Sequence, residues 1–276
     1  MGLAHLVIVT AVRAFADVLG ISGQAHGEAL ALWFGASDPE PIRAAAGLAA
    51  ATGVAGVTRA RLFPALSEAV RSLGRPASLL SSPRAREGFV YAWMAALSLV
   101  GSAALTRAGA APSPSPDAVA GGFAVTCAAL LLGAGASLFM ERRVPGRSRV
   151  TPVFRDVPSL SAATLAAAAH ALGVWPGASR VGLSAAVLLA LGVRPERALE
   201  HALVATLPFW ISDFVVYAMS DGAQSGRLLA AAVPAFVCVW IAAALIKNLC
   251  AKRRVIALGL WMVPMSGALM AYARAI

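Results

Sequence analysis

The residue with the most chemical consequence is Arg180, which ends the run Trp175-Pro176-Gly177-Ala178-Ser179-Arg180; no other Asp, Glu, Lys or Arg occurs from Val157 to Val193. A permanent charge in such apolar sequence costs about 3 kcal/mol at a helix centre on bilayer-insertion scales. An anion is the natural compensation. Pro176 and Gly177 break a helix just before it, so the chain turns and restarts, aiming unpaired backbone N–H groups and a guanidinium at one spot. Gly177, Ala178, Ser179, Arg180 and Val181 therefore read as a phosphate cradle. Ser179 also suits the N-cap of the restarting helix, and the two roles are compatible.

The elements that must carry this arginine are membrane elements. The 276 residues are 59% hydrophobic and 13% charged, and a spanning helix needs about 20 apolar residues. Six spans are expected: Ala44–Thr58, Gly88–Thr106, Ala118–Met140, Ala202–Met219, Leu228–Ile246 and Val255–Ala273. The first is short and extends itself by letting Arg43 and Arg59 reach outward; Ala202–Met219 is interrupted by Asp213. Leu6–Val12 has no basic cluster before it and Arg13 after it, so it is expected to be mature structure rather than a signal core. Cys127, Cys238 and Cys250 show neither CxxC nor Cys/His spacing and are expected to pack.

The net charge of +10 does not indicate nucleic acid, because the basic residues alternate with the spans instead of pooling on one face. They gather in Arg59–Arg86, Arg142–Arg155, Arg194–Arg197 and Lys247–Arg254. Placing all four on the cytoplasmic side gives a consistent path only if Pro158–Val193 enters and leaves from that side without crossing. Each arm about the Pro-Gly break is indeed shorter than a crossing. The N-terminal region has the same shape, with Leu6–Leu19, a break at Gly20-Ile21-Ser22-Gly23 and a return at Ala29–Gly35. Its exit, Ala36–Pro41, is acidic and proline-rich, so this segment dips from the opposite face. Each dip is followed by three spans in opposite orientation. The expected architecture is an all-α integral membrane protein with six spanning helices plus two opposed re-entrant hairpins in an inverted repeat. It forms a single membrane domain, 1–276, whose halves 1–140 and 158–276 are joined by a basic cytoplasmic loop, 141–157. Inverted repeats bring broken helices together near the bilayer midplane, where His26 and Arg180 are expected to converge.

From Ala171 to Pro208, and more weakly over nearly the whole chain, the sequence resembles the integral-membrane undecaprenyl-diphosphate phosphatases, also called bacitracin-resistance proteins. Pro176, Gly177, Ser179 and Arg180 match that family's Pro-Gly-x-Ser-Arg-Ser signature, Val181 replaces its last serine, and Ser184 stands where a threonine is usual. The first motif is an acidic pair four residues apart followed by Ser-Ser-x-x-His. Asp17, Ser22 and His26 match it, while Arg13 stands in the place of the first acid and Gly23 in that of the second serine. The chain reads as a divergent member.

The resemblance implies hydrolysis of a polyprenyl diphosphate lipid to the monophosphate, in a multi-pass protein of the bacterial inner membrane. Arg180, the cradle residues, Ser184 and Arg13 would bind the substrate. His26 would be nucleophile or general base, with Asp17 orienting it and Ser22 donating a hydrogen bond. A divalent cation, Mg or Ca, is implied by the family, but Arg13 in an acid's place removes a ligand and supplies positive charge directly. A homodimer is a further possibility for the assembly. Blander roles stand beside these: Asp17 can pair with Arg13 four residues earlier, His26 and His170 can be interior histidines, Glu200 can pair with Arg197, and Asp213 can be buried against a partner. The alternative function is a flippase or transporter of polyprenyl phosphates or another organic anion, with hydrolysis lost.

Overall fold

The structure is a computed structural model, and it describes residues 2–33, 39–75, 81–110, 112–113, 115–142, 154–220 and 225–275. Helices α1 (Leu3–Leu19) and α2 (Gly23–Trp33) form one short hairpin, followed by α3 (Pro39–Ser72), α4 (Pro83–Arg107) and α5 (Pro116–Arg142). Then α6 (Leu160–Ala171), a 3₁₀ turn at Leu172–Val174 and α7 (Arg180–Ala190) form a second hairpin, followed by α8 (Pro195–Ala218), α9 (Ser225–Ala251) and α10 (Ile256–Ala275). No strand occurs among the described residues.

Local chemistry sets the boundaries. Ser82, Ser159 and Ser179 cap α4, α6 and α7 by accepting from the amides of Ala85, Ala162 and Gly182, which satisfies helix-start donors that would otherwise be orphaned. Pro83 and Pro195 open α4 and α8 where a missing N–H is harmless. Gly20 ends α1 in the left-handed conformation at φ 75°, which glycine adopts without a Cβ clash.

Helices α4, α5, α8 and α9 are long and apolar enough to cross a membrane. These hold four of the six expected spans. Ala44–Thr58 lies inside α3, whose ends carry Glu40, Arg43 and the Arg59–Arg71 cluster; Val255–Ala273 falls mostly on α10, where the apolar stretch Ile256–Tyr272 is shorter. Most of the 141–157 connection, part of the 36–41 exit and the end of the 29–35 return lie outside the described residues.

The outside of the bundle is apolar: Leu132 on α5, Val216 on α8, Val233 on α9 and Trp261 on α10 are all exposed. The inside is rich in alanine, and small side chains let helices approach closely where lipid removes the usual hydrophobic drive. In the packing, α1 lies against α9, α6 against α4, α3 against α8, and α5 against both α7 and α10. The core joins the halves, with Leu19 and Phe123 in one cluster with Leu188, Leu199 and Met262.

Candidate functional site

The α6–α7 break is built against α5. Gly177 has φ 76°, and a Cβ there would stand 2.0 Å from the Val119 carbonyl oxygen. Beyond it, Ala178 N–H donates to the Trp175 carbonyl (3.1 Å) and Ser179 N–H to the Thr126 hydroxyl (2.9 Å). Ser179 Oγ accepts from Gly182 N–H at 3.0 Å, so the serine caps α7. The amides of Arg180 and Val181 are left without a partner among the described residues. Of the five residues of the expected cradle, Ala178 and Ser179 thus have their amides taken up within the fold. Ser184 bonds back to the carbonyls of Arg180 (2.9 Å) and Val181 (3.2 Å), steadying the first turn of α7.

Arg180 heads this turn and crosses to the facing helices. Its guanidinium donates to Ser102 Oγ on α4 (2.9 Å) and lies 4.1 Å above the ring of Phe209 on α8, a cation–π arrangement. No carboxylate comes within 4.0 Å of it among the described residues. Space for the side chain comes from Gly173, where a Cβ would meet Arg180 Cγ at 2.3 Å.

The α1–α2 break meets the same place. The Gly20 carbonyl oxygen would lie 2.3 Å from a Cβ on Gly182, so the two broken segments touch backbone to backbone. Asp17 Oδ1 accepts from Gly23 N–H (2.9 Å) and its other oxygen lies 4.0 Å from Arg13 Nε, which realises the expected Arg13–Asp17 pair. Gly23 is required here, because a Cβ would stand 2.3 Å from Asp17 Cγ; the family's second serine has no room while Asp17 sits as it does. Ser22 occupies the left-handed region at φ 68°, costing about 1 kcal/mol for a residue with a Cβ, and its Oγ accepts from Ala25 N–H at 3.3 Å. His26 Nδ1 is 2.8 Å from the Ser22 carbonyl. A carbonyl only accepts, so Nδ1 carries the proton and Nε2 keeps its lone pair. Nε2 is buried without a partner among the described residues, and the ring stands edge-on to Phe123 of α5.

Between the two breaks lies a cleft of about 80 Å³. Arg13, Asp17, Ala178, Ser179, Arg180 and Val181 line it; Gly177, Ser184, Ser22 and His26 do not. The cleft also takes residues that sequence reasoning left out of the site: Gln24, Thr206, Phe209, and above all Arg43 and Asp213, whose Nε and Oδ1 are 3.4 Å apart. The available signal was a charge flanking one apolar run and an opposite charge interrupting another. Asp213 therefore has a partner, as expected, but is half-exposed rather than buried. Thr206 Oγ1 gives its hydrogen to the Ala202 carbonyl, so His170 Nε2–H donates to it (2.8 Å), and the His170 ring packs on Phe209, behind the cleft wall.

A divalent cation does not fit this donor set. Among the described residues no three His, Cys, Asp or Glu side chains cluster to hold one. The two carboxylates of the cleft each face a guanidinium, and Asp17 also holds an amide. With three arginines against two aspartates, the cleft is suited to an anion.

A second charged cluster lies toward the other end of α8. Arg197 is buried and paired with Glu87 and Glu200, the Tyr91 hydroxyl shares its one hydrogen between Glu87 (2.9 Å) and Glu200 (3.2 Å), and Arg61 approaches Glu200 at 3.7 Å. It ties α3, α4 and α8 together, and the expected Glu200–Arg197 pair is part of it.

No curated protein matches the sequence. The family model described as bacitracin resistance protein BacA matches residues 6–268, nearly the whole chain, and the long apolar helices fit a membrane protein. The chain belongs to the bacitracin resistance protein BacA family, the undecaprenyl-diphosphate phosphatases, and is a multi-pass membrane protein.

Proposed function

We propose that the chain hydrolyses a polyprenyl diphosphate, such as undecaprenyl diphosphate, to the monophosphate and inorganic phosphate, recycling the lipid carrier of cell-wall synthesis in the bacterial inner membrane. The observation that carries this reading is Arg180: a partly buried guanidinium at a helix start, unpaired by any carboxylate within 4.0 Å among the described residues, facing a cleft with two further arginines. Family membership supplies the lipid and the reaction.

The head group would sit on Arg180 and Arg13, with the Arg180 and Val181 amides taking up charge that develops on the phosphoryl oxygens. His26 acts through the free lone pair of Nε2: it takes a proton from the water that attacks the terminal phosphorus, or attacks that phosphorus itself to form a phosphohistidine that water then hydrolyses to inorganic phosphate. The bond from that phosphorus to the bridging oxygen breaks, and the bridging oxygen leaves on the lipid monophosphate. Asp17 orients His26 indirectly, holding Gly23 N–H at the start of the turn whose Ser22 carbonyl fixes the imidazole. Ser179, in the cleft lining, accepts its capping bond and keeps its own O–H hydrogen for donation to a phosphate, while Ser22 accepts from Ala25 N–H and shapes the turn that carries His26.

The same reading includes the six-span, two-hairpin inverted repeat in a single domain. Support comes from packing: exchanging the halves turns the α1–α9 contact into α6–α4 and leaves α3–α8 and α5–α10 unchanged. The cleft uses Arg43 at the start of α3 and Asp213 near the end of α8, the ends remote from the arginine clusters Arg59–Arg71 and Arg194–Arg197. By the positive-inside rule it opens on the outer face.

The test is phosphate release from farnesyl or undecaprenyl diphosphate by purified protein. Release that depends on Arg180 and His26 supports the reading. Absence of release, with transport of labelled polyprenyl phosphate across proteoliposomes, would replace hydrolysis by transport.

A further inference from the structure

Arg43 and Asp213 stand at the cleft on helices held close together. Gly47, one turn after Arg43, lets α8 approach until a Cβ there would lie 2.7 Å from the Trp210 carbonyl oxygen, and Asp213 follows three residues later. Arg43 and Gly47 therefore share one face of α3, and Trp210 and Asp213 the opposing face of α8. The pair meets through one nitrogen and one oxygen at 3.4 Å, with side chains 44% and 36% exposed. Such a half-exposed, single-point pair is weak. Asp213 is also within electrostatic reach of Arg13 and Arg180, so its charge opposes that of any anion in the cleft.

We propose that Arg43 is a phosphate-binding residue of this cleft and that Asp213 is its internal competitor, displaced by a diphosphate and restored when only a monophosphate remains. The inference rests on the diphosphate reading of the site and adds a basis for its specificity. A diphosphate has two phosphoryl groups and can engage Arg180 and Arg43 together, which compensates for removing Asp213. The monophosphate product reaches one of them and leaves the Arg43–Asp213 pair intact. The pair thereby favours the diphosphate over the monophosphate and so promotes product release, without a cation.

The experiment is equilibrium binding of farnesyl diphosphate and farnesyl phosphate to the purified full-length chain in detergent with EDTA, for the wild type, Arg43→Ala, Arg43→Lys and Asp213→Asn. Arg43→Ala is expected to weaken diphosphate binding about tenfold and to leave monophosphate binding within about twofold, with Arg43→Lys between it and the wild type. Asp213→Asn is expected to tighten both ligands, the monophosphate more, so that discrimination falls about fivefold. A structural pair would behave otherwise: both substitutions would weaken binding alike and lower the unfolding temperature together, and that outcome overturns the inference. If Arg43→Ala fails to fold, Arg43→Lys and Asp213→Asn still decide it through their opposite expected directions. Wild-type protein that binds no diphosphate overturns the proposed function itself. Wild-type protein that binds it as tightly as Arg43→Ala does overturns only the role of Arg43.

Discussion

The carbonyl oxygen of Gly20 and the α-carbon of Gly182 are so close that a methyl group on Gly182 would sit 2.3 Å from that oxygen. One residue ends α1 and the other lies in the first turn of α7, so their contact sets how near Asp17 comes to Arg180. Gly182→Ala must push two backbones apart, with an overpacking cost of about 1–3 kcal/mol. Thermal unfolding in detergent should show the loss, and phosphate release should fall with it.

Arg180 is expected to carry substrate charge in the transition state. Arg180→Ala should lower the rate of phosphate release at least about 100-fold, the scale of losing one preorganised donor. Lysine should rescue poorly, because the guanidinium reaches Ser102 and the Phe209 face together. Single-turnover kinetics with farnesyl diphosphate separate this effect from weaker binding.

Restoring the family's serine at Gly23 should be harmful. The new Cβ would stand 2.3 Å from Asp17 Cγ and 2.3 Å from the Arg13 carbonyl oxygen, forcing the α1–α2 break open. Gly23→Ser is expected to cost about 1–3 kcal/mol in stability and to reduce activity. Higher turnover would show that Asp17 and the break can rearrange to admit a hydroxyl.

Metal removal should leave the reaction unchanged, because Arg13 and Arg43 provide the positive charge and no three-carboxylate or histidine cluster is present among the described residues. Phosphate release in EDTA is expected to stay within about twofold of the rate with added Mg or Ca. A larger dependence would mean that cation ligands assemble only with substrate.

The Arg197 cluster should matter for stability rather than chemistry. Arg197→Met removes the shared partner of Glu87 and Glu200 and leaves two partly buried carboxylates facing each other, at a cost of about 3 kcal/mol. Arg197 precedes the cleft residue Thr206 by nine positions on α8, roughly 14 Å along the helix. The unfolding temperature should fall while KM for farnesyl diphosphate changes little.

Several features were legible in the sequence for local reasons. Pro176 and Gly177 end a helix wherever they sit, Ser179 next to them is a capping residue by chemistry, and a lone arginine in apolar sequence needs an anion. Arg13 and Asp17 are four residues apart, so their pairing follows from helical periodicity alone. The apolar runs of α4, α5, α8 and α9 announce themselves by length. What required the folded chain was everything set by approach between distant segments. Arg43 and Asp213 are 170 positions apart, and only the close packing of α3 on α8 at Gly47 brings them into the cleft. Thr126 takes the Ser179 amide, and Trp175 takes that of Ala178, so which backbone donors stay free was decided by α5 and by the turn. The sequence fixes which residues can bear charge or break a helix, because those properties belong to single side chains and short spans. Tertiary structure decides which of them share a cleft, because glycine-sized gaps between helices determine how closely the elements can pack.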